Sequence, residues 1–202
     1  MKVLTISQNE LKNLSHTLLS MITKDQFTID MVIGIATGGI YISSPIKEQL
    51  AKEKWHGKYY EIKLSRQSTE TKKILKLKGI LTKLPYFILN FLRKLEVFMF
   101  ENFKAKEYNS SKENKVDLSD GLINDIKNSH SILLVDDAID TGSTILAIKN
   151  VIKRINPNVT IKTAVLTVTH KKPYIEPDYT LFKRVLLRCP WAEDYKGNDK
   201  IG

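Results

Sequence analysis

The sequence predicts an α/β protein with a central parallel sheet flanked by helices, and three observations predict it. Two short apolar runs, MVIGIA (31–36) and ILLVDD (132–137), each break into a polar loop. Each loop is followed by a stretch of helical spacing, at 40–52 and at 144–154. Further strand-like runs, KYYEIKL (58–64) and VTIKTAVLTV (159–168), follow those helices. Strand, polar loop and helix in alternation build a parallel sheet whose sites collect at the carboxyl ends of its strands.

Taken in order, Ser7 and Glu10 form a capping box that opens the first helix, with Leu11, Leu14, Leu18 and Ile22 on one face. MVIGIA then reads as a buried strand ending in the tight loop Thr37-Gly38-Gly39, and 40–52 as the helix behind it. In the second half ILLVDD is again a buried strand, 144–154 a helix, and Asn156-Pro157-Asn158 the turn into the next strand. No internal repeat and no long Pro/Gly/Ser linker divides the chain, so 1–202 reads as one domain.

Composition narrows the classes. Hydrophobic residues make up 42% and charged residues 27%, which excludes wholesale disorder. A single cysteine, Cys189, excludes an intramolecular disulfide framework and a Cys-cluster zinc site; it reads as a small buried side chain. The opening MKVLTISQNELKNLSH lacks the apolar core of a signal peptide, so the expected location is cytoplasmic. The net charge of +10 points to an anionic partner.

Most of that charge is concentrated. Between Thr71 and Lys106 stand nine Lys or Arg residues against Glu96 and Glu101, which is +7 of the +10, together with five of the seven phenylalanines. This basic, aromatic segment, at about 67–115, reads as an insertion closed by the polar SSKEN (110–114). Leu77, Leu81, Leu84, Ile88, Phe91, Leu95, Phe98 and Met99 recur at helical spacing, and Pro85 separates or kinks two helices. The longest uncharged run, Leu84–Leu92, is far short of the ~20 residues that span a bilayer. Three roles stay open for it: packing on the chain's own core or in a homodimer, docking on an anionic membrane at its inner face, and, least favoured, binding nucleic acid.

The most informative stretch is ILLVDDAIDTGST (132–144). An apolar strand delivers Asp136 and Asp137 side by side, Asp140 follows, and Thr141-Gly142-Ser143-Thr144 opens a helix. Backbone N–H groups and hydroxyls at a helix N-terminus hold a phosphate monoester. Paired carboxylates would repel that phosphate; they suit vicinal ribose hydroxyls and a hydrated Mg²⁺.

Residues 132–144 resemble the phosphoribosyl pyrophosphate (PRPP) motif of the type I phosphoribosyltransferases. GIATGG (34–39) is similar to that family's pyrophosphate loop, and PWAEDY (190–195) to its C-terminal acceptor segment. The resemblance covers about 1–65 and 116–195, nearest to the hypoxanthine/xanthine-guanine branch, and omits the insertion. It implies the type I fold with a small hood formed by the two ends of the chain, and inverting transfer from PRPP with loss of pyrophosphate. It also implies roles for individual residues. Asp136 and Asp137 would bind the ribose hydroxyls, Thr141, Gly142, Ser143 and Thr144 the 5-phosphate, and Thr37, Gly38 and Gly39 the pyrophosphate. Asp140 would handle the acceptor's proton, Trp191 would wall the acceptor, and Asp194, with Asp136 and Asp137, would reach Mg²⁺.

Two positions depart from the family pattern. Thr37 stands where a Lys or Arg is usual, which leaves Lys63 or Arg66 to supply that charge. Thr169 stands where purine enzymes carry a base-reading lysine, with His170 beside it near the acceptor and Lys171 two residues late. The departures and the insertion together favour a lipid-linked glycan hydroxyl as acceptor, giving a ribofuranose 5-phosphate on a polysaccharide precursor. Soluble purine salvage is the alternative, and a PRPP-sensing regulator that binds nucleic acid is the third reading.

Overall fold

In the computed structural model, residues 1–63, 84–99 and 118–201 are described. The elements run β1 (Lys2–Thr5), α1 (Gln8–Lys24), β2 (Met31–Ile35), α2 (Gly38–Lys52), β3 (Lys58–Ile62), α3 (Tyr86–Met99), α4 (Asp120–Asn128), β4 (Ser131–Ile139), α5 (Ser143–Ile155), β5 (Thr160–Val168), β6 (Tyr179–Lys183) and β7 (Val185–Arg188). Five strands form a parallel sheet in the order β3-β2-β4-β5-β6, and β1 pairs in parallel with β7 in a separate two-stranded sheet.

The strand sequences explain the layering. Every residue of β2 is buried, as in a strand covered on both faces, and its side chains alternate between two cores. Val32, Leu133 and Val135 join Leu18, Ile42 and Ile46 of α1 and α2 on one face. Met31, Ile33, Ile132 and Leu134 join Ile126, Ile148 and Ile152 of α4 and α5 on the other. The predicted capping box is present at Ser7, whose hydroxyl accepts from the Glu10 N–H at 3.3 Å while the Glu10 carboxylate accepts from the Ser7 N–H at 2.8 Å.

The predicted strands and helices fall at these positions with shifts of a few residues at their ends; Leu64, the last residue of one expected strand, lies outside the described residues. The β1–β7 pair joins the two ends of the chain into the expected hood. Of the insertion, α3 is described, and Pro85 sits at its entrance with its carbonyl accepting from Ile88 and Leu89. The rest of the predicted helical run, including Leu77 and Leu81, lies outside the described residues. Among the described residues no helix is long and apolar enough to cross a membrane.

Candidate active site

All three parallel strands nearest the sheet centre deliver site residues at their carboxyl ends. β2 ends at Thr37-Gly38-Gly39, β4 runs into Asp136–Thr144, and β5 ends at Thr169 and His170. The first two loops are 98 residues apart in sequence and touch through glycine. A Cβ on Gly38 would lie 2.2 Å from the Asp137 carboxyl carbon, and one on Gly39 would lie 2.3 Å from the Val135 carbonyl oxygen. Only glycine lets the α2 entrance sit against β4 this closely. The peptide bond between Ala36 and Thr37 is cis.

The β4–α5 loop carries its acids and hydroxyls into the start of α5. Gly142 caps α5 with φ of 82°, in the left-handed region, and a Cβ there would meet Ile175 Cγ2 at 2.7 Å. Gly142 offers no side-chain cap, and the Ser143 N–H donates to Thr141 Oγ1 at 3.3 Å, so an anion would meet the N–H groups behind it. The Thr141 hydroxyl donates to Ser143 Oγ at 3.1 Å, which holds two hydroxyls over the same helix end. Behind them Asp137 N–H donates to Asp136 Oδ1 at 2.9 Å. Burial pushes the Asp137 carboxyl pKa above the usual carboxylate range, and the charge of Asp140 adds to the rise.

Asp140 reaches the second half of the site. Its Oδ1 accepts a short hydrogen bond from the hydroxyl of Thr169, a residue nearly fully buried at the end of β5. Asp140, His170 and Trp191 line one cavity of about 580 Å³, and Trp191 stacks on Tyr41 of α2 with ring centroids 4.9 Å apart. Lys63 follows Ile62, whose carbonyl accepts from Ala36 N–H, so it stands at the mouth of the glycine loop. Arg66 lies outside the described residues.

Helix α3 roofs the cavity with Leu89, Leu92 and Val97. Sequence reasoning missed how it is held there. Arg93 donates to both oxygens of Asp194, at 3.0 and 2.5 Å, and to the Leu187 carbonyl at 3.0 Å. Arg188, only 1% exposed, donates to Asp194 Oδ2, to Asn90 of α3 and to Thr5 of β1, and its guanidinium lies 4.4 Å from the Tyr86 ring centroid. Burial alone would raise the Asp194 carboxyl, but the two guanidiniums hold it below the usual carboxylate range. Asp194 therefore sits in an ion-pair cluster with both oxygens engaged. No local signal links Arg93 to an acid 101 positions away, so the pairing could not be read from spacing. Cys189, under the same hood, is buried, and its thiol pKa is pushed up to about 12.

With this geometry established, the comparison with known families decides the class: residues 3–196 match the phosphoribosyl transferase domain. The chain belongs to that family. This phosphoribosyltransferase has similar solved structures at low identity. A purine phosphoribosyltransferase from Pyrococcus horikoshii is 15% identical with a TM-score of 0.56, over 95% of each chain. A xanthine-guanine-hypoxanthine phosphoribosyltransferase from Helicobacter pylori is 12% identical with a TM-score of 0.54, over 92% of this chain and 91% of that one. A hypoxanthine phosphoribosyltransferase from Trypanosoma cruzi, solved with the product IMP, is 12% identical with a TM-score of 0.51, over 88% and 74%. At these identities the likeness establishes the fold. A comparison with curated proteins finds no match.

Proposed function

We propose that this phosphoribosyltransferase moves the 5-phosphoribosyl group of PRPP onto a ring nitrogen of a purine-type base. The observation that carries the reading is the single cavity walled by Asp140, His170 and Trp191, an acid facing a flat aromatic wall. The purine enzymes among the similar structures support it, and it takes precedence over the lipid-linked hydroxyl favoured by the sequence alone.

In this reading Asp136 and Asp137 accept from the ribose 2- and 3-hydroxyls, and Thr141–Thr144 with the α5 N-terminus hold the 5-phosphate. Thr37, Gly38 and Gly39 meet the pyrophosphate through backbone donors, with Lys63, next to Ile62 at the end of β3, as the described candidate for the missing cation. The bond from C1 to pyrophosphate oxygen breaks as the bond from C1 to the acceptor nitrogen forms on the opposite face. Thr169 occupies Asp140 Oδ1, which leaves Oδ2 to take the acceptor's proton.

The donor set fits a Mg²⁺ that arrives with PRPP. Asp136 and Asp137 offer hard carboxylate oxygens, and among the described residues no three His, Cys, Asp or Glu side chains converge on a metal. Most of its ligands would then be substrate oxygens and water. Bound there, the ion would offset charge on the departing pyrophosphate. We assign metal contact to Asp136 and Asp137 and leave Asp194 to its arginines.

The test is nucleotide formation from PRPP, Mg²⁺ and each of hypoxanthine, guanine and xanthine. Turnover of at least one is expected; tight PRPP binding with no nucleotide from any base would overturn the purine reading. Thr169 in place of a lysine, beside a cavity with an apolar roof from α3, favours a hydroxyl acceptor as the second reading. Asp140 would then act as base on an alcohol, and transfer of labelled phosphoribosyl to a lipid-linked glycan would detect it.

A further inference from the structure

Helix α3 is apolar on two opposite faces, and the acceptor cavity uses only one of them. Leu89, Arg93 and Val97 face the cavity and the hood. Phe87, Phe91 and Phe98 lie about half a turn away and are 72%, 63% and 59% exposed, with the exposed Leu95 between them. Three exposed phenylalanines on one short helix are costly to leave in water.

Cations border the C-terminal half of that face. A groove of about 710 Å³ runs along it, lined by Phe91, Leu95 and Phe98 together with Lys94, Lys171, Lys172 and Arg184. Among the described residues lining it there is no acid. Exposed aromatic side chains beside a cluster of cations match the boundary of an anionic bilayer, where rings enter the headgroup layer and lysines meet lipid phosphates.

We propose that the outer face of α3, with the groove of Lys94, Lys171, Lys172 and Arg184, is a docking surface for an anionic lipid bilayer. It does not depend on which acceptor the cavity takes. A second copy of this chain would bring the same cations against themselves, which the lipid surface avoids.

The test is co-sedimentation of the whole protein with phosphatidylcholine vesicles, with and without phosphatidylglycerol, at low and high salt. Binding to the anionic vesicles at least tenfold above the neutral ones, weakened by salt, is expected. Phe87→Ser with Phe91→Ser and Phe98→Ser should abolish it, and Lys94→Glu with Lys172→Glu should weaken it at least tenfold. PRPP binding by each variant shows that it is folded, and the lysine pair covers the case where the phenylalanine variant is not. Failure to bind vesicles, equal binding to both kinds, or a dimer that the phenylalanine changes convert to monomer without any vesicle binding would each overturn the proposal. None of these outcomes bears on whether a purine is turned over.

Discussion

At the scale of single residues, Asp137 is under opposite demands, because burial disfavours the charge that ribose binding would use. Asp137 has its pKa raised by burial, so in the free protein its ionised form is the disfavoured one. For an acid whose folded-state pKa lies above the unfolded value, the native state holds more protons, and stability falls as pH rises through that window. Asp137→Asn should therefore raise the melting temperature at neutral pH, and the advantage should vanish below about pH 4, where the carboxyl is protonated in both states. The same change removes a charged acceptor for ribose, so PRPP affinity measured by calorimetry should fall by roughly tenfold or more. Asp140→Asn should do the reverse, leaving PRPP affinity nearly intact and slowing transfer by about 10²–10⁴-fold in single-turnover kinetics. These acids were legible in the sequence because strand, acids and glycine turn are contiguous there. The contact of Gly38 with Asp137 was not, because it joins loops that only the β2–β4 pairing brings together.

At the scale of elements, α3 is fastened by charge to a part of the chain remote in sequence. Asp194→Asn would leave Arg188 buried with its main counter-charge gone, a change that typically costs about 3–5 kcal/mol, read by denaturant unfolding. The depressed pKa of Asp194 gives the interaction a pH signature. It stabilises above the ordinary carboxylate range and is lost as pH falls through the lowered folded-state value, so wild type and Asp194→Asn should converge in stability as pH falls below that value. The sequence showed α3 as helical because its apolar spacing is local. It also counted Arg93 among the nine cations of the basic segment, whereas the structure pairs Arg93 with Asp194 under the hood. Pattern shows that a charge is present; it does not show which charges cancel.

At the scale of the molecule, the parallel sheet and its two helical layers were readable because β2 and residues 132–135 of β4 are unbroken apolar runs, which only a doubly covered strand requires. The hood strands were not resolved as strands, because KVLT and VLLR are four residues each and too short to show a period. Amide hydrogen exchange should reflect this architecture. The central β2, β4 and β5 should exchange only on global unfolding, and the two-stranded hood should open first.

The two faces of α3 have a thermodynamic consequence. One rigid helix borders both the acceptor cavity and the outer groove, and Val97 and His170 belong to the walls of both. Any ligand that shifts this helix from outside must change acceptor affinity by some factor, and acceptor binding must then change affinity for the outer ligand by the same factor. Measuring acceptor affinity with and without anionic vesicles, and vesicle affinity with and without acceptor, would give two numbers for one coupling free energy.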